Sequence, residues 1–234
     1  MSTTLNANLG TTDVLWNLQD LYESPDDSQI RDDLDFCRQE AALLKENEGK
    51  LATLESAAFA RTIRRLERIH VNLDRITTYA FLYFVTQVKD PEAGAFLQQV
   101  KEDGSKVQRE LVFFELEWAK MDQSVVDRLL SDKEVAPYAH YLDNLRRYAD
   151  HLLSGPEERL LVELAPVGKE SWLTLFEKLL GHLEFGEKKR SEEEVLSDLY
   201  DADREVRQQA ATELTQGLQG QLHILTHIFN TILA

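Results

Sequence analysis

The chain has 234 residues, 43% of them hydrophobic, and carries 42 acidic against 26 basic side chains for a net charge of −16. Acids dispersed along the whole chain make a solvated face that repels phosphate backbones, since nucleic-acid affinity comes largely from lysine and arginine displacing counterions, so nucleic acid is excluded as a partner. Cys37 is the single cysteine, which rules out an intrachain disulfide, and no apolar run approaches a membrane span or a signal core; a cytoplasmic protein without membrane contact is expected.

Residues 1–12 are polar and are expected to be disordered. Trp16, Leu18, Leu21 and Tyr22 form a first apolar anchor that should dock onto the helices. Ser24-Pro-Asp-Asp27 is a turn and cap signal, and from Ser28 a helix is predicted with Ile30, Leu34, Cys37, Ala41 and Leu44 on one face. Cys37 on that stripe reads as an inert core thiol, with no basic cluster near it to stabilise a thiolate.

Ser56 opens the longest uninterrupted pattern: Phe59, Ile63, Leu66, Ile69, Leu73, Ile76, Ala80 and Phe84. At 1.5 Å per residue such a helix reaches about 45–50 Å, which suggests an elongated helical wall. Asp90-Pro91 then caps a second long helix, with Phe96, Val100, Val107, Leu111, Phe114 and Trp118 inward. Two long helices joined by so short a turn should pack antiparallel. Gly104 lies in the middle of the second, where it marks a bend or a close crossing. A shorter helix, from about Ser124 to Leu130, follows.

From Pro137 the residues Tyr138, Tyr141, Leu142, Leu145 and Tyr148 recur at steps of three and four, which predicts an interior helix with a tyrosine-rich stripe. Ser154-Gly-Pro-Glu157 opens the next helix with a capping box and a proline in its first turn. Ala165-Pro-Val-Gly168 interrupts it, and a further helix places Trp172, Leu175, Phe176 and Leu179 on one face. Gly186 and the run Glu187-Lys-Lys-Arg190 read as a solvated turn, with at most one small β-hairpin near residues 183–190. Ser191-Glu-Glu-Glu194 is a second capping box. The last helix is predicted from Asp203 towards the end as one piece, with Val206, Ala210, Leu214, Leu218, Leu225, Ile228 and Ile232 inward and no stop signal, as in a chain cut inside a helix.

Few of these residues carry the marks of chemistry. His223 and His227 stand at i and i+4, a spacing that lets two imidazoles reach one metal ion, but hydrolases built on it place a glutamate after the first histidine, and here that position is Ile224. They read as polar-face histidines, with a structural or adventitious metal as the other reading. His70, between Ile69 and Val71, reads as an edge-of-core histidine with a local hydrogen-bond partner rather than a ligand. Gly168-Lys169 lacks both the first glycine and the Ser or Thr of a phosphate loop, and no serine sits in a Gly-x-Ser-x-Gly elbow. Carboxylate pairs are too common here to inform. No catalytic, cofactor-binding or metal-binding residue is assigned.

Taken in order, YxHYLxxLRR from Tyr138, LSxPEExLL from Leu153, SWxxLFxxL from Ser171 and LEF at Leu183–Phe185 resemble the N-terminal region of the oligoendopeptidase F family, thimet-oligopeptidase-like zinc metallopeptidases. Trp16-Asn-Leu-Gln-Asp-Leu-Tyr22, Phe113-Phe-Glu-Leu-Glu117 and Asp203-Arg-Glu-Val-Arg207-Gln-Gln-Ala210, with Asn230, agree in order, so the resemblance spans nearly the whole chain. The family's His-Glu-x-x-His does not occur in it. The resemblance implies an all-α fold of long antiparallel helices followed by shorter ones, forming one wall of a channel. It implies a long-helix region at 13–120, an oligoendopeptidase F N-terminal-type helical domain at 121–190, and the start of a truncated catalytic domain at 191–234. It further implies a zinc-dependent peptidase acting on oligopeptides whose zinc, and the catalytic domain that holds it, lie outside this chain, which alone is expected to be inactive. A free-standing helical module that binds a protein or peptide is the alternative. A truncated last helix would expose Leu225, Ile228, Phe229 and Ile232, and self-association through that C-terminal helix is expected.

Overall fold

A computed structural model describes residues 17–233, so Trp16 and residues 1–12 fall outside it. The described chain is all-α. Its only strand-like pairing is one antiparallel bridge, Phe185 with Arg190, which closes through two backbone hydrogen bonds of 2.9 and 3.0 Å at the place where a hairpin is predicted. The α-helices are α1 Ser28–Lys45, α2 Ser56–Thr86, α3 Pro91–Ala119, α4 Gln123–Leu130, α5 Ala139–Arg147, α6 Gly155–Leu164, α7 Lys169–His182, α8 Glu192–Asp198, α9 Arg204–Gly220 and α10 Leu222–Leu233, with short 3-10 turns at Leu51–Thr53, Ala136–Tyr138 and Ala149–His151. No described helix is long and apolar enough to cross a membrane.

The caps work as their residue types require. Asp27 accepts from the Gln29 N–H at 2.9 Å, Asp90 from Glu92 at 3.0 Å and Asp203 from Glu205 at 2.9 Å, each satisfying a donor that the helix leaves unpaired. In both capping boxes the glutamate reaches back: Ser154 N–H donates to Glu157 at 2.9 Å and Ser191 N–H to Glu194 at 3.0 Å.

The chain forms two compact units. The first comprises residues 18–83 and 95–166. Its core is the stripe of α2, with Phe59, Ile63, Leu66, Ile69, Leu73 and Ile76 all buried, as are Cys37, Ala41 and Leu44 of α1 and Val107, Leu111 and Phe114 of α3; the Phe59 ring stacks on that of Phe114, and the Cys37 sulfur meets the Ile69 carbonyl. Phe59 near the start of α2 stacks on Trp118 near the end of α3, with ring centroids 5.2 Å apart, while Tyr79 near the end of α2 meets Phe96 near the start of α3 at 6.0 Å. Those two contacts fix the helices as antiparallel. Of the N-terminal anchor, Tyr22 is the buried member: its hydroxyl donates to the buried Asp33 at 2.8 Å, and the Arg75 guanidinium lies 4.4 Å from its ring centre. Arg146 of α5 donates to the carbonyls of Trp118 and Met121 at 2.9 and 2.8 Å, placing a cation on the carbonyl end of α3.

Two expectations for this unit need correction. The tyrosine-rich helix is not interior: in α5 only Leu142 is fully buried, and Tyr148 is 65% exposed. The stripe is amphipathic, and Tyr138 and Tyr148 lie at its edge, where a ring can be half dry while its hydroxyl stays near water, whereas the Tyr141 hydroxyl is buried. Gly104 marks no close crossing. A Cβ added there meets nothing within 4 Å, and α3 runs through it unbroken.

Among the described residues, the second unit comprises Asn17 and residues 84–94 and 167–233. Phe185, Val195 and Ala210 form its core, with Leu183, Leu199, Leu214 and Leu218 packed against them. Gly181 lets Val88 approach, and Gly217 lets the Phe185 ring lie on α9; a Cβ at either glycine would collide with its neighbour. Gly186 takes φ 68°, a backbone region that side chains disfavour, to turn the chain into the bridge. The Glu187–Arg190 run is not wholly a solvated turn, because Arg190 is drawn in to bind Asp198 of α8 and Glu213 of α9, the latter at 2.6 Å. The final helix is two pieces: α9 ends at Gly220, the chain bends at Gln221, and α10 packs on α7. That packing buries Ile228, which therefore leaves the expected patch, while Leu222, Phe229 and Leu233 stay exposed.

Candidate functional site

Within the first unit, α2, α3 and α6 leave a recess of about 350 Å³. The stripe that fills the core supplies its floor, Leu66, Leu111 and Phe114, and Val162 of α6 closes one side. One turn along α2 from Leu66 stands His70, and a further turn along stands Asp74. Gln108, Val112 and Glu115 come from α3. The helical period explains the mixture: residues at the margin of an apolar stripe on one helix face those at the margin of the next, so the floor is apolar and the rim polar.

The rim is electrostatically unfinished. No basic side chain among the described residues pairs with Asp74 or Glu115. Loss of water at the recess wall raises the Glu115 carboxyl above the usual carboxylate range; His70 opposes that rise, and the charge of Glu158 on α6 adds to it. The Tyr141 hydroxyl of α5 is buried with no hydrogen-bond partner, and burial, reinforced by the Glu115 charge, pushes it up to about 12. Such a group is a donor at every ordinary pH.

The histidines singled out from the sequence fall in different places. His70 is half-buried on the recess wall, with no hydrogen bond to another described residue, which removes the local partner expected for it. His223 and His227 are both exposed on α10, and the His227 ring packs edge-on against Trp172 with centroids 5.2 Å apart. Among the described residues no group of three or more His, Cys, Asp or Glu side chains is arranged to hold a metal ion. Cys37 is fully buried, its sulfur 3.7 Å from the Ile69 carbonyl oxygen, and burial raises the thiol to about 11. The recess itself escaped the sequence: each of its carboxylates is one among many, and only the juxtaposition of three helices distinguishes them.

Residues 117–185, from the end of α3 to the bridge at Phe185, match the family model described as Oligopeptidase F. A protein described as an oligoendopeptidase F homolog, from Borreliella burgdorferi, is 24% identical over 130 residues, covering 55% of this chain and 22% of its own length. The fold is similar to that of oligoendopeptidase-F from Enterococcus faecium, with a TM-score of 0.75 and 19% identity over 88% of this chain and 42% of that one. A putative peptidase from Chlamydophila abortus is similar with a TM-score of 0.50, at 19% identity over 94% of this chain and 39% of that one. Residues 117–185 are thus similar to the oligoendopeptidase F family, and the chain spans about a fifth of the curated relative's length.

Proposed function

We propose that this chain forms the helical N-terminal part of a zinc-dependent oligoendopeptidase that hydrolyses short peptides, and that it is inactive without the remainder of such an enzyme. The observation that carries the reading is the Oligopeptidase F match over residues 117–185, in a chain whose sequence has no His-Glu-x-x-His. The side chains present do not suit a hydrolytic zinc site. Ile224 follows His223 where a general base is needed, and both histidines lie on an exposed helix face without a third ligand among the described residues. Zinc and the groups that use it are therefore assigned to polypeptide outside these 234 residues. The purified chain, given a panel of quenched oligopeptides and zinc, is expected to show no turnover, whereas the same chain joined to a family catalytic region that carries His-Glu-x-x-His is expected to show chelator-sensitive cleavage. Chelator-sensitive turnover by the 234-residue chain alone would overturn the proposal.

A further inference from the structure

The geometry of the first unit points to a subsite for a long cationic side chain, that of lysine or arginine, carried by a peptide and inserted between α2, α3 and α6. The volume of about 350 Å³ lies within the range of about 300–1,000 Å³ usual for small-ligand sites. Its lining is divided as such a side chain is divided. Leu66, Leu111 and Phe114 offer an apolar floor to a methylene stem, and Asp74 and Glu115 offer carboxylates to its head. A neutral or anionic occupant would leave the Glu115 carboxyl facing the charge of Glu158, whereas an ammonium or guanidinium would sit between Glu115 and Asp74 and offset that repulsion. Gln108 can add a carbonyl acceptor from α3. His70 is the one lining group able to carry positive charge, and in its neutral form it too can accept from the incoming head.

This assignment rests on the oligopeptidase reading only for the source of the peptide, since binding to the recess needs no catalysis. The test uses the 234-residue chain and nuclear magnetic resonance titration with the pentapeptide Gly-Gly-Lys-Gly-Gly, its norleucine counterpart and cadaverine. The lysine peptide is expected to shift resonances of α2 and α3 around Asp74 and Glu115 and to bind at least tenfold more tightly than the norleucine peptide. Glu115→Gln is expected to weaken it at least fivefold, and Glu205→Gln, an exposed acid on α9, to leave it unchanged. Thermal melting of both variants establishes that they are folded, and Asp74→Asn repeats the measurement should Glu115→Gln fail to fold. Three results would each overturn the proposal: equal binding of the lysine and norleucine peptides, equal weakening by Glu115→Gln and Glu205→Gln, or cadaverine binding as tightly as the lysine peptide, which would make the ligand a free diamine. Peptide cleavage is not part of this readout, so failure here leaves the oligopeptidase reading standing, and failure of that reading leaves this one.

Discussion

The indole N–H of Trp118 donates to the carbonyl oxygen of Leu142 at 2.7 Å, tying the end of α3 to the middle of α5 through two fully buried residues. Trp118 also stacks on Phe59, so one side chain joins three helices. Replacing it by Phe removes a hydrogen bond that the Leu142 carbonyl accepts in addition to its helical one, at an expected cost of about 0.5–1.5 kcal/mol, while Ala adds a cavity and should cost about 3–5 kcal/mol. Urea unfolding followed by circular dichroism measures both; an unchanged stability of the Phe variant would show that the hydrogen bond contributes nothing beyond packing.

Glycine substitutions should change sign with location. Gly104→Ala gains helix propensity with nothing in the way and is expected to stabilise the first unit by about 0.5–1 kcal/mol. Gly217→Ala drives a methyl into the buried Phe185 ring and is expected to cost about 1–3 kcal/mol. Paired thermal melts of the two variants decide the matter.

Acid should loosen the second unit in a way that depends on Arg190. Hydrogen bonding to Arg190 holds the Glu213 carboxyl below its ordinary value of 4.5. A carboxyl depressed in the folded state contributes stability above its unfolded value, and that stability is lost as pH falls through the folded one, so the window opens below about pH 4.5. Arg190→Gln is expected to reduce stability at neutral pH by about 1–3 kcal/mol, the range for a hydrogen-bonded, partly buried charge, and to flatten the acid side of the stability profile. Parallel wild-type and variant profiles down to pH 3 would contradict this.

Cys37 should be silent towards thiol reagents. A buried thiol raised to about 11 presents almost no thiolate at pH 8. The native chain is expected to react with Ellman's reagent at least a hundredfold more slowly than the urea-unfolded chain, and a comparable rate would place the thiol at the surface.

Much of the fold was legible because helix ends and faces are encoded locally. Asp27, Asp90, Ser154, Ser191 and Asp203 each announce a start by residue type, and each cap forms. The stripe from Phe59 to Phe84 is buried along its whole length, because a period of 3.6 leaves one face for so many apolar residues. What could not be read depends on partners remote in sequence. Whether the tyrosines of α5 lie inside or at an edge depends on what covers the helix, and the turn at Gln221 carries no proline to reveal it. Arg190 looks like its lysine neighbours until Asp198 and Glu213 are brought beside it. The recess is the extreme case, since Asp74 and Glu115 acquire meaning only when α2, α3 and α6 meet.

Beyond Asn17 the second unit is assembled from two stretches of chain with residues 95–166 between them, and this has an effect on the ribosome. Val88, near the end of the earlier stretch, must wait for Gly181 before it is covered. At about 5–20 residues per second the interval is several seconds, long enough for a nascent apolar hairpin tip to be claimed by a chaperone. Deleting everything after Pro166 would turn that passing exposure into a permanent one.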